Sequence, residues 1–180
     1  MIRWILRRGA RAFGTKYSYD TSYMTEVIDV SAGAGLRLSA FPLISQYRGP
    51  KAAHGVWVGA ILASTLEGDC GQCVQLVTDM ALDAGVKAST LRLCLEGDLD
   101  EAGDIGLGFR YAQAAISGDL SSDDLRLEIE RMYGKKAVIA AAFAAASGRF
   151  YPVFKRGFGH GASCARLQVG GMPIAVGEAA

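Results

Sequence analysis

The sequence predicts an all-α domain, and three observations lead to that prediction. Apolar residues recur at spacings of three and four, as on one face of a helix, whereas the alternation typical of a half-buried strand hardly appears. Glycines follow the apolar segments where helices would end, at Gly85, Gly97, Gly118 and Gly134. The length of 180 residues fits one domain with a sizeable core.

Composition and charge argue against several classes of protein. Hydrophobic residues make up 51% of the chain and charged residues 21%, which is typical of a globular protein and not of a disordered one. Nineteen Lys and Arg against 18 Asp and Glu leave a net charge of +1, so we expect no nucleic-acid partner. The most apolar runs, 56–66 and 137–146, are shorter than the about 20 residues that cross a bilayer, so we expect no membrane partner.

The N-terminal segment MIRWILRRGARAFG carries four arginines and an apolar face. Ile2, Ile5, Leu6 and Ala10 form that face, which is typical of an amphipathic helix. We predict that it packs on the same domain, as part of a helical extension over residues 1–49. A transit peptide or a membrane-surface helix is the alternative, but no cleavage-site pattern follows.

The remaining helices follow in order along the chain. The segment from Val56 to Leu66 is apolar all round, which predicts a buried helix. Val74, Val77, Ala81 and Ala84 form one face of an amphipathic helix after the Glu67-Gly68 break. Further helices are predicted from Ser89 or Thr90 to about Gly97, from Leu99 to Ile116, from Ser122 to Gly134, and from Lys135 through the Ala-rich run towards Pro152. The glycine-rich tail, 158–180, is predicted to be irregular apart from an extended piece over 165–169.

Cys70 and Cys73 form a CxxC motif, which is the most specific chemical signal in the sequence. Four cysteines are too few for a disulfide-stapled secreted protein, so the pair indicates redox or metal chemistry in a reduced, cytoplasmic compartment. Asp69 and Gln72 have the form of a capping box, which predicts Cys70 at the first helical position. A helix N-terminus favours thiolate over thiol, and a distorted first turn would allow a reversible disulfide. The alternative is that both cysteines are small buried core residues.

Neither histidine completes a metal site with the CxxC motif. His54 and His160 lack the required spacing, so we predict no metal and no cofactor. His54, beside an apolar segment, is expected to be structural. His160 and Cys164 make only a weak metal pattern in the tail.

Two further groups of residues are expected to have structural roles. Cys94 is predicted to lie in the core of a helix. Tyr17, Tyr19 and Tyr23 form an aromatic cluster that would either cover a neighbouring subunit or hold the N-terminal helices together.

The segment LEGDCGQCVQLVTDMALDAGV, preceded by the apolar helix VWVGAILAS, resembles the CxxC helical hairpin of the alkylhydroperoxidase D-like proteins. These proteins belong to the carboxymuconolactone decarboxylase superfamily. The order of the later helices, ending in RFYPVFK, agrees with that resemblance, which covers residues 50–157. It implies an all-α bundle, with the CxxC motif at the start of a helix in a hairpin, and assembly into trimers or hexamers.

The resemblance also implies roles for individual residues. Cys73 matches the family's peroxidatic cysteine, and Cys70 matches its resolving cysteine. The family's histidine and glutamate are replaced here by Val77 and Val58, so the usual proton relay is missing. Glu67, three residues before Cys70, is the nearest acid, and we therefore include it with the two cysteines as a candidate catalytic residue.

Three classes of function follow from these observations. The first is a thiol oxidoreductase that reduces a peroxide, or another small-molecule or disulfide substrate, and takes electrons from a thiol donor. The second is a superfamily lyase that uses an apolar pocket. The third is a non-catalytic oligomeric protein. We also predict a homo-oligomer, because the helices around Val56 and Ala137 are too apolar for a free surface.

Overall fold

A computed structural model describes residues 1–161 and 167–174, and nearly all the secondary structure in them is helical. The helices are α1 (Ile2–Tyr17), α2 (Ser22–Val30), α3 (Ala32–Ala40), α4 (Pro42–Ser45), α5 (His54–Glu67), α6 (Gly71–Asp83), α7 (Ala88–Glu96), α8 (Asp104–Ser117), α9 (Ser121–Tyr133), α10 (Lys135–Ser147) and α11 (Phe150–Gly157), with a 3-10 turn at Lys51–Ala53. Strands β1 (Gln168–Val169) and β2 (Met172–Pro173) pair antiparallel. The predicted all-α class is confirmed.

The glycine signals locate most helix ends correctly. Gly97 and Gly118 follow α7 and α8 in the left-handed conformation that a C-terminal cap requires. One start is wrong: the helix predicted from Leu99 begins at Asp104, after Gly103 with a φ of 56°. The extended piece predicted over 165–169 is seen at Gln168–Val169, and its first two residues lie outside the described residues.

Helix α5 lies at the centre of the fold and packs on α6, α8 and α10. Every residue from 56 to 65 is buried, which confirms the predicted buried helix. Gly59 and Gly108 let α5 and α8 meet backbone to backbone. A methyl group on Gly59 would lie 1.8 Å from the Ile105 carbonyl oxygen, and one on Gly108 would lie 1.9 Å from the Val56 carbonyl oxygen. Any side chain at either position would force the two helices apart.

The burial of Val56 and Ala137 bears on the expected oligomer. Both residues lie inside the single chain, where other helices cover them. Helix α10 still exposes Ile139 and Phe143, at 48% and 40%, so part of its apolar surface is not covered by the same chain. Assembly into a trimer or hexamer stays a prediction.

The N-terminal helices cover one side of α6 and α11. An apolar and aromatic cluster, built on Tyr19, Tyr23, Val27 and Leu38, joins α2 and α3 to Leu76 of α6 and to the aromatic residues of α11. Lys16 of α1 also forms an ion pair with Asp83 at the end of α6, at 3.2 Å. The division of the chain at residues 49 and 157 stays a prediction.

One stretch among the described residues, Lys135–Gly157, is long and apolar enough by length and composition to cross a membrane. It joins α10 and α11 and has a mean hydropathy of 1.4 over its most apolar window. The lengths of the uninterrupted apolar segments did not predict a stretch of this length, because Gly148 and Arg149 divide it into two shorter apolar segments. Of that window 44% is buried in the fold, and the core helix of a soluble protein passes the same test.

Candidate functional site

The CxxC motif lies where the chain turns from α5 into α6. Asp69 adopts a left-handed conformation with a φ of 53°, and Cys70 is extended and forms the N-cap of α6. The carbonyl oxygen of Cys70 accepts hydrogen bonds from the N–H groups of Cys73 and Val74, at 2.9 and 3.0 Å. The predicted capping box is therefore wrong by one residue, since Cys70 precedes the helix and no side chain caps it.

The residues around this bend explain why the N-cap of α6 is Cys70 and not Asp69. Gly68 packs against Pro152 of α11, where a side chain on Gly68 would collide with the proline ring. The Arg156 guanidinium also donates a hydrogen bond to the Gly68 carbonyl oxygen. Helix α11 thus shapes the turn that precedes Cys70.

The two thiols of the motif are in direct contact. Both are free, and their Sγ atoms lie 2.7 Å apart. Cys70 is half-buried, whereas Cys73 is only 4% exposed. Because the N-cap residue is extended, its side chain can bend towards the next turn, which brings the two sulfurs closer than in a regular helix.

The charge of the pair is concentrated on Cys70. The hydrogen bond between the two side chains lowers the pKa of Cys70 to about 6. The backbone N–H groups of Cys73 and Gln72 and the positive charge of Lys155 also lower it, although burial opposes this. The hydrogen bond with Cys70 and burial raise the pKa of Cys73 far above its ordinary value. These directions place the first negative charge of the pair on Cys70, the more exposed sulfur, and leave the proton on Cys73.

Lys155 of α11 supplies a buried positive charge beside the motif. This residue is only 3% exposed, and its Nζ donates a hydrogen bond to the Gln72 Oε1 atom at 3.1 Å. The same ammonium group lies 5.1 Å from the ring centre of Tyr19 and 5.3 Å from that of Tyr23. Sequence reasoning missed Lys155. The one indication in the sequence was its position among the aromatic residues of RFYPVFK, where a lysine can pack against aromatic rings instead of facing solvent.

Tyr19 connects the N-terminal helices to the cysteines. Its hydroxyl lies 3.7 Å from the Cys73 Sγ, within hydrogen-bond distance for sulfur. Burial raises the pKa of Tyr19 well above its ordinary value, so the hydroxyl keeps its proton at neutral pH. The tyrosine cluster seen in the sequence thus contacts the site within one chain.

An apolar cavity of about 600 Å³ lies next to Cys73. The N-terminal helices form one wall, and α5, α6 and the α10–α11 region form the other. The lining residues include Ile28, Leu38, Ile61, Cys73, Leu76, Val77 and Met80. Two lining hydroxyls, those of Tyr23 and Ser147, are buried without a hydrogen-bond partner among the described residues. This size and lining are typical of a small-molecule site with a few polar groups.

The structure does not bring Glu67 to the thiols. Glu67 ends α5, and its carboxylate accepts a hydrogen bond from Arg149 at 3.1 Å on the surface. Val58 and Val77, at which the resemblance implies a glutamate and a histidine, carry no ionisable group. Val58 is fully buried in the core, and Val77 lines the cavity. Catalytic participation of Glu67 stays a prediction that its position does not support.

The other singled-out residues lie away from the CxxC motif. His54 starts α5, which places it about 20 Å along the helix from the end that precedes Cys70. There it stacks on Trp57, and burial together with Arg48 lowers its pKa. His160 lies 2.8 Å from the Glu26 carboxylate, and Cys164 falls outside the described residues. Within 1–161 and 167–174, no three His, Cys, Asp or Glu residues are grouped to hold a metal.

Comparison of the chain with protein-family models, with curated proteins and with solved structures finds no match in any of the three. The resemblance to the alkylhydroperoxidase D-like proteins therefore depends on the motif and on the order of the helices.

Proposed function

We propose that this protein is a thiol oxidoreductase that cycles Cys70 and Cys73 between dithiol and disulfide, and that it belongs to the CxxC branch of the alkylhydroperoxidase D-like proteins. The observation that supports this best is the contact between the two sulfurs, 2.7 Å apart at the start of α6. The pKa of Cys70, lowered to about 6, makes it a thiolate near neutral pH. The attacking species is then present without a separate base.

The oxidative half-reaction balances with the groups present. The Cys70 thiolate attacks the terminal oxygen of a hydroperoxide, the O–O bond breaks, and Cys70 becomes a sulfenic acid while an alkoxide leaves. The alkoxide takes the proton of the Cys73 thiol and becomes an alcohol. The Cys73 thiolate then attacks the sulfenic sulfur, which forms the disulfide and releases hydroxide.

In this scheme Cys73 replaces the missing proton relay. Val58 and Val77 carry no ionisable group, and the raised pKa of Cys73 keeps a proton next to the reacting sulfur. Tyr19 then donates a hydrogen bond that stabilises the Cys73 thiolate once it forms. The roles are the reverse of those implied by the family resemblance, in which Cys73 attacks and Cys70 resolves.

The reductive half-reaction requires access from solvent. Cys70 is the more exposed sulfur, so a dithiol donor attacks Cys70, the disulfide opens, and the donor's second thiol releases the reduced pair. The same chemistry run in reverse lets Cys70 reduce a disulfide partner. The same atom, the Cys70 sulfur, therefore attacks both peroxide and disulfide substrates.

The experiment is a thiol titration before and after one equivalent of an organic hydroperoxide. We expect two thiols to be lost, peptide mapping to pair Cys70 with Cys73, and dithiothreitol to restore both. The Cys73→Ser variant should stop at a Cys70 sulfenic acid that a sulfenic-acid reagent traps. Slow loss of thiols without a disulfide, or pairing of either cysteine with Cys94 or Cys164, would contradict the proposal.

The apolar cavity supports a second candidate, a superfamily lyase that acts without the thiols. The hydroxyls of Tyr23 and Ser147 on its wall have no hydrogen-bond partner among the described residues and could orient a substrate. The double variant Cys70→Ser/Cys73→Ser separates the two candidates. A thiol oxidoreductase loses all turnover in that variant, whereas a lyase keeps its turnover.

A further inference from the structure

Helix α1 has an inner and an outer face of different chemistry. Its inner face contributes Ile5, Leu6, Gly9, Ala10 and Phe13 to the wall of the apolar cavity. Helix α1 also contacts α2 and α3. These contacts leave open what covers the opposite side of the helix.

The outer face is basic and carries a tryptophan. Trp4, Arg8, Arg11 and Thr15 recur at spacings of three and four and line one shallow groove. Trp4 is 62% exposed, and the Arg8 guanidinium lies 5.6 Å from the centre of its ring. A tryptophan left this exposed is unusual unless the surface has a partner.

The charge of α1 is strongly one-sided. Residues 1–17 contain five Lys and Arg and no Asp or Glu, although the whole chain has a net charge of only +1. Arg7 pairs with Asp29 and Lys16 pairs with Asp83. Within the described part of the chain, no ion pair involves Arg3, Arg8 or Arg11. Three cations are therefore available to a negatively charged partner.

The first turn of α1 adds apolar side chains beside these cations. Ile5 is about half exposed and lies at the edge between the inner and outer faces, whereas Ile2 falls on the inner side with Leu6. Tryptophan, exposed aliphatic side chains and arginines on one helix form the pattern of a helix that lies in a membrane interface. The tryptophan and aliphatic groups enter the headgroup region, while the arginines reach the lipid phosphates.

We propose that the outer face of α1 binds the surface of a membrane that contains anionic lipids. The exposed ring of Trp4, with Ile5 at the edge of the face, favours a lipid surface over a nucleic acid, which offers no apolar phase. The unpaired arginines favour it over a second copy of the chain, because a symmetric contact would bring like charges together. This proposal departs from the expectation of no membrane partner, which depended on the absence of a spanning run and did not address binding at the surface. A helix seated in this way brings the apolar cavity beneath it next to the lipid phase.

The test measures binding of the full chain to vesicles. We expect co-sedimentation with phosphatidylglycerol-containing vesicles, little binding to pure phosphatidylcholine vesicles, and loss of binding at high salt. Trp57 is buried, so a blue shift of tryptophan fluorescence on binding would report on Trp4. Equal binding to both vesicle types, or no binding to either at low salt, overturns the proposal.

Variants assign the binding to the outer face. Arg8→Ala/Arg11→Ala should weaken vesicle binding about 25-fold, since each basic residue at an anionic surface contributes about fivefold. Trp4→Ala should weaken binding to the same vesicles and abolish the fluorescence shift. The control, Arg131→Ala/Lys136→Ala, removes two exposed cations from α9 and α10 and should bind like the parent. All three variants change exposed side chains, so their melting temperatures should match that of the parent.

Two other outcomes would also overturn the proposal. Binding of a DNA or RNA oligonucleotide that depends on Arg8 and Arg11, without vesicle binding, would assign the face to a nucleic acid. Loss of a dimer in sedimentation experiments on Trp4→Ala, without vesicle binding, would assign it to a second copy. The Cys70→Ser variant should bind vesicles like the parent, so the test is independent of the thiol chemistry.

Discussion

The start of α6 and the middle of α7 both carry a cysteine that is nearly inaccessible, yet only the first is equipped for chemistry. Cys73 is 4% exposed and Cys94 is 1% exposed. Burial alone acts on Cys94 and raises its pKa to about 12. Cys73 instead shares its proton with Cys70, which becomes the thiolate of the pair.

The difference between these two regions lies in the groups around each sulfur. Cys94 occupies the interior of a helix whose backbone N–H groups are already bonded, and its neighbours are apolar. Cys70 lies at a helix start, beside the backbone N–H groups of Gln72 and Cys73 and the Lys155 ammonium. A thiol becomes reactive through donors and cations within reach, and not through its position in a buried region.

The largest expected effect is the difference in alkylation rate between the two regions. At pH 7 iodoacetamide should modify Cys70 at least about 1000-fold faster than Cys94, because only Cys70 is mostly thiolate. Quenched samples analysed by peptide mass spectrometry give both rates. Unfolding the chain should make the two rates similar, and comparable rates in the folded protein would contradict the contrast.

Replacing Lys155 should move Cys70 towards the behaviour of an ordinary thiol. The cation stabilises the thiolate, so Lys155→Met raises the pKa of Cys70 above its value of about 6. The alkylation rate at pH 6.5 should fall about tenfold, and the midpoint of its rise with pH should move upward. Lys155→Arg keeps the charge and is the matched control. An unchanged midpoint in a folded Lys155→Met variant would show that Lys155 does not affect the pKa of Cys70.

The hydroxyl of Tyr19 should have a smaller effect, confined to disulfide closure. Tyr19→Phe removes the hydrogen bond to Cys73, so ring closure after oxidation of Cys70 should slow by about two- to fivefold. Stopped-flow measurement of thiol loss gives this rate. Tyr23→Phe is the control, because the Tyr23 hydroxyl has no partner among the described residues. Equal slowing in both variants would indicate a packing effect.

Glu67 should have the smallest effect. Its carboxylate pairs with Arg149 on the surface, and such exposed pairs contribute about 0–1 kcal/mol. Glu67→Gln should therefore change the rate of peroxide reduction less than about twofold. A tenfold loss in a folded variant would instead make Glu67 the acid–base group that its position in the sequence suggested.

The sequence predicts most of this site's local framework. The CxxC motif after a glycine bend indicates two cysteines at a helix start, and both are there in contact. The helix ends at Gly97 and Gly118 follow from the conformations that glycine permits. These features depend on residues within one or two turns of each other, so the pattern along the chain contains the information.

The wrongly predicted N-cap of α6 shows a feature that neighbouring residues in the sequence do not determine. Asp69 and Gln72 have the residue types of a capping box, but Gln72 bonds to Lys155 instead. The bend itself is shaped by α11, through Pro152 against Gly68. A contact from a distant helix outcompetes a local preference worth about 1 kcal/mol.

The pattern of residues along the chain indicates the helical class, the buried character of α5 and a thiol pair at a helix start. Which of the two sulfurs has the lower pKa depends on contacts between distant parts of the chain. Lys155 is 83 residues from its partner Gln72, and Tyr19 is 54 residues from Cys73. Helix periodicity and capping act over a few residues, whereas the pKa of a buried thiol depends on every charge and donor that packing brings within a few ångströms. Those neighbours are set by how α2, α6 and α11 pack together, and no spacing along the chain records that.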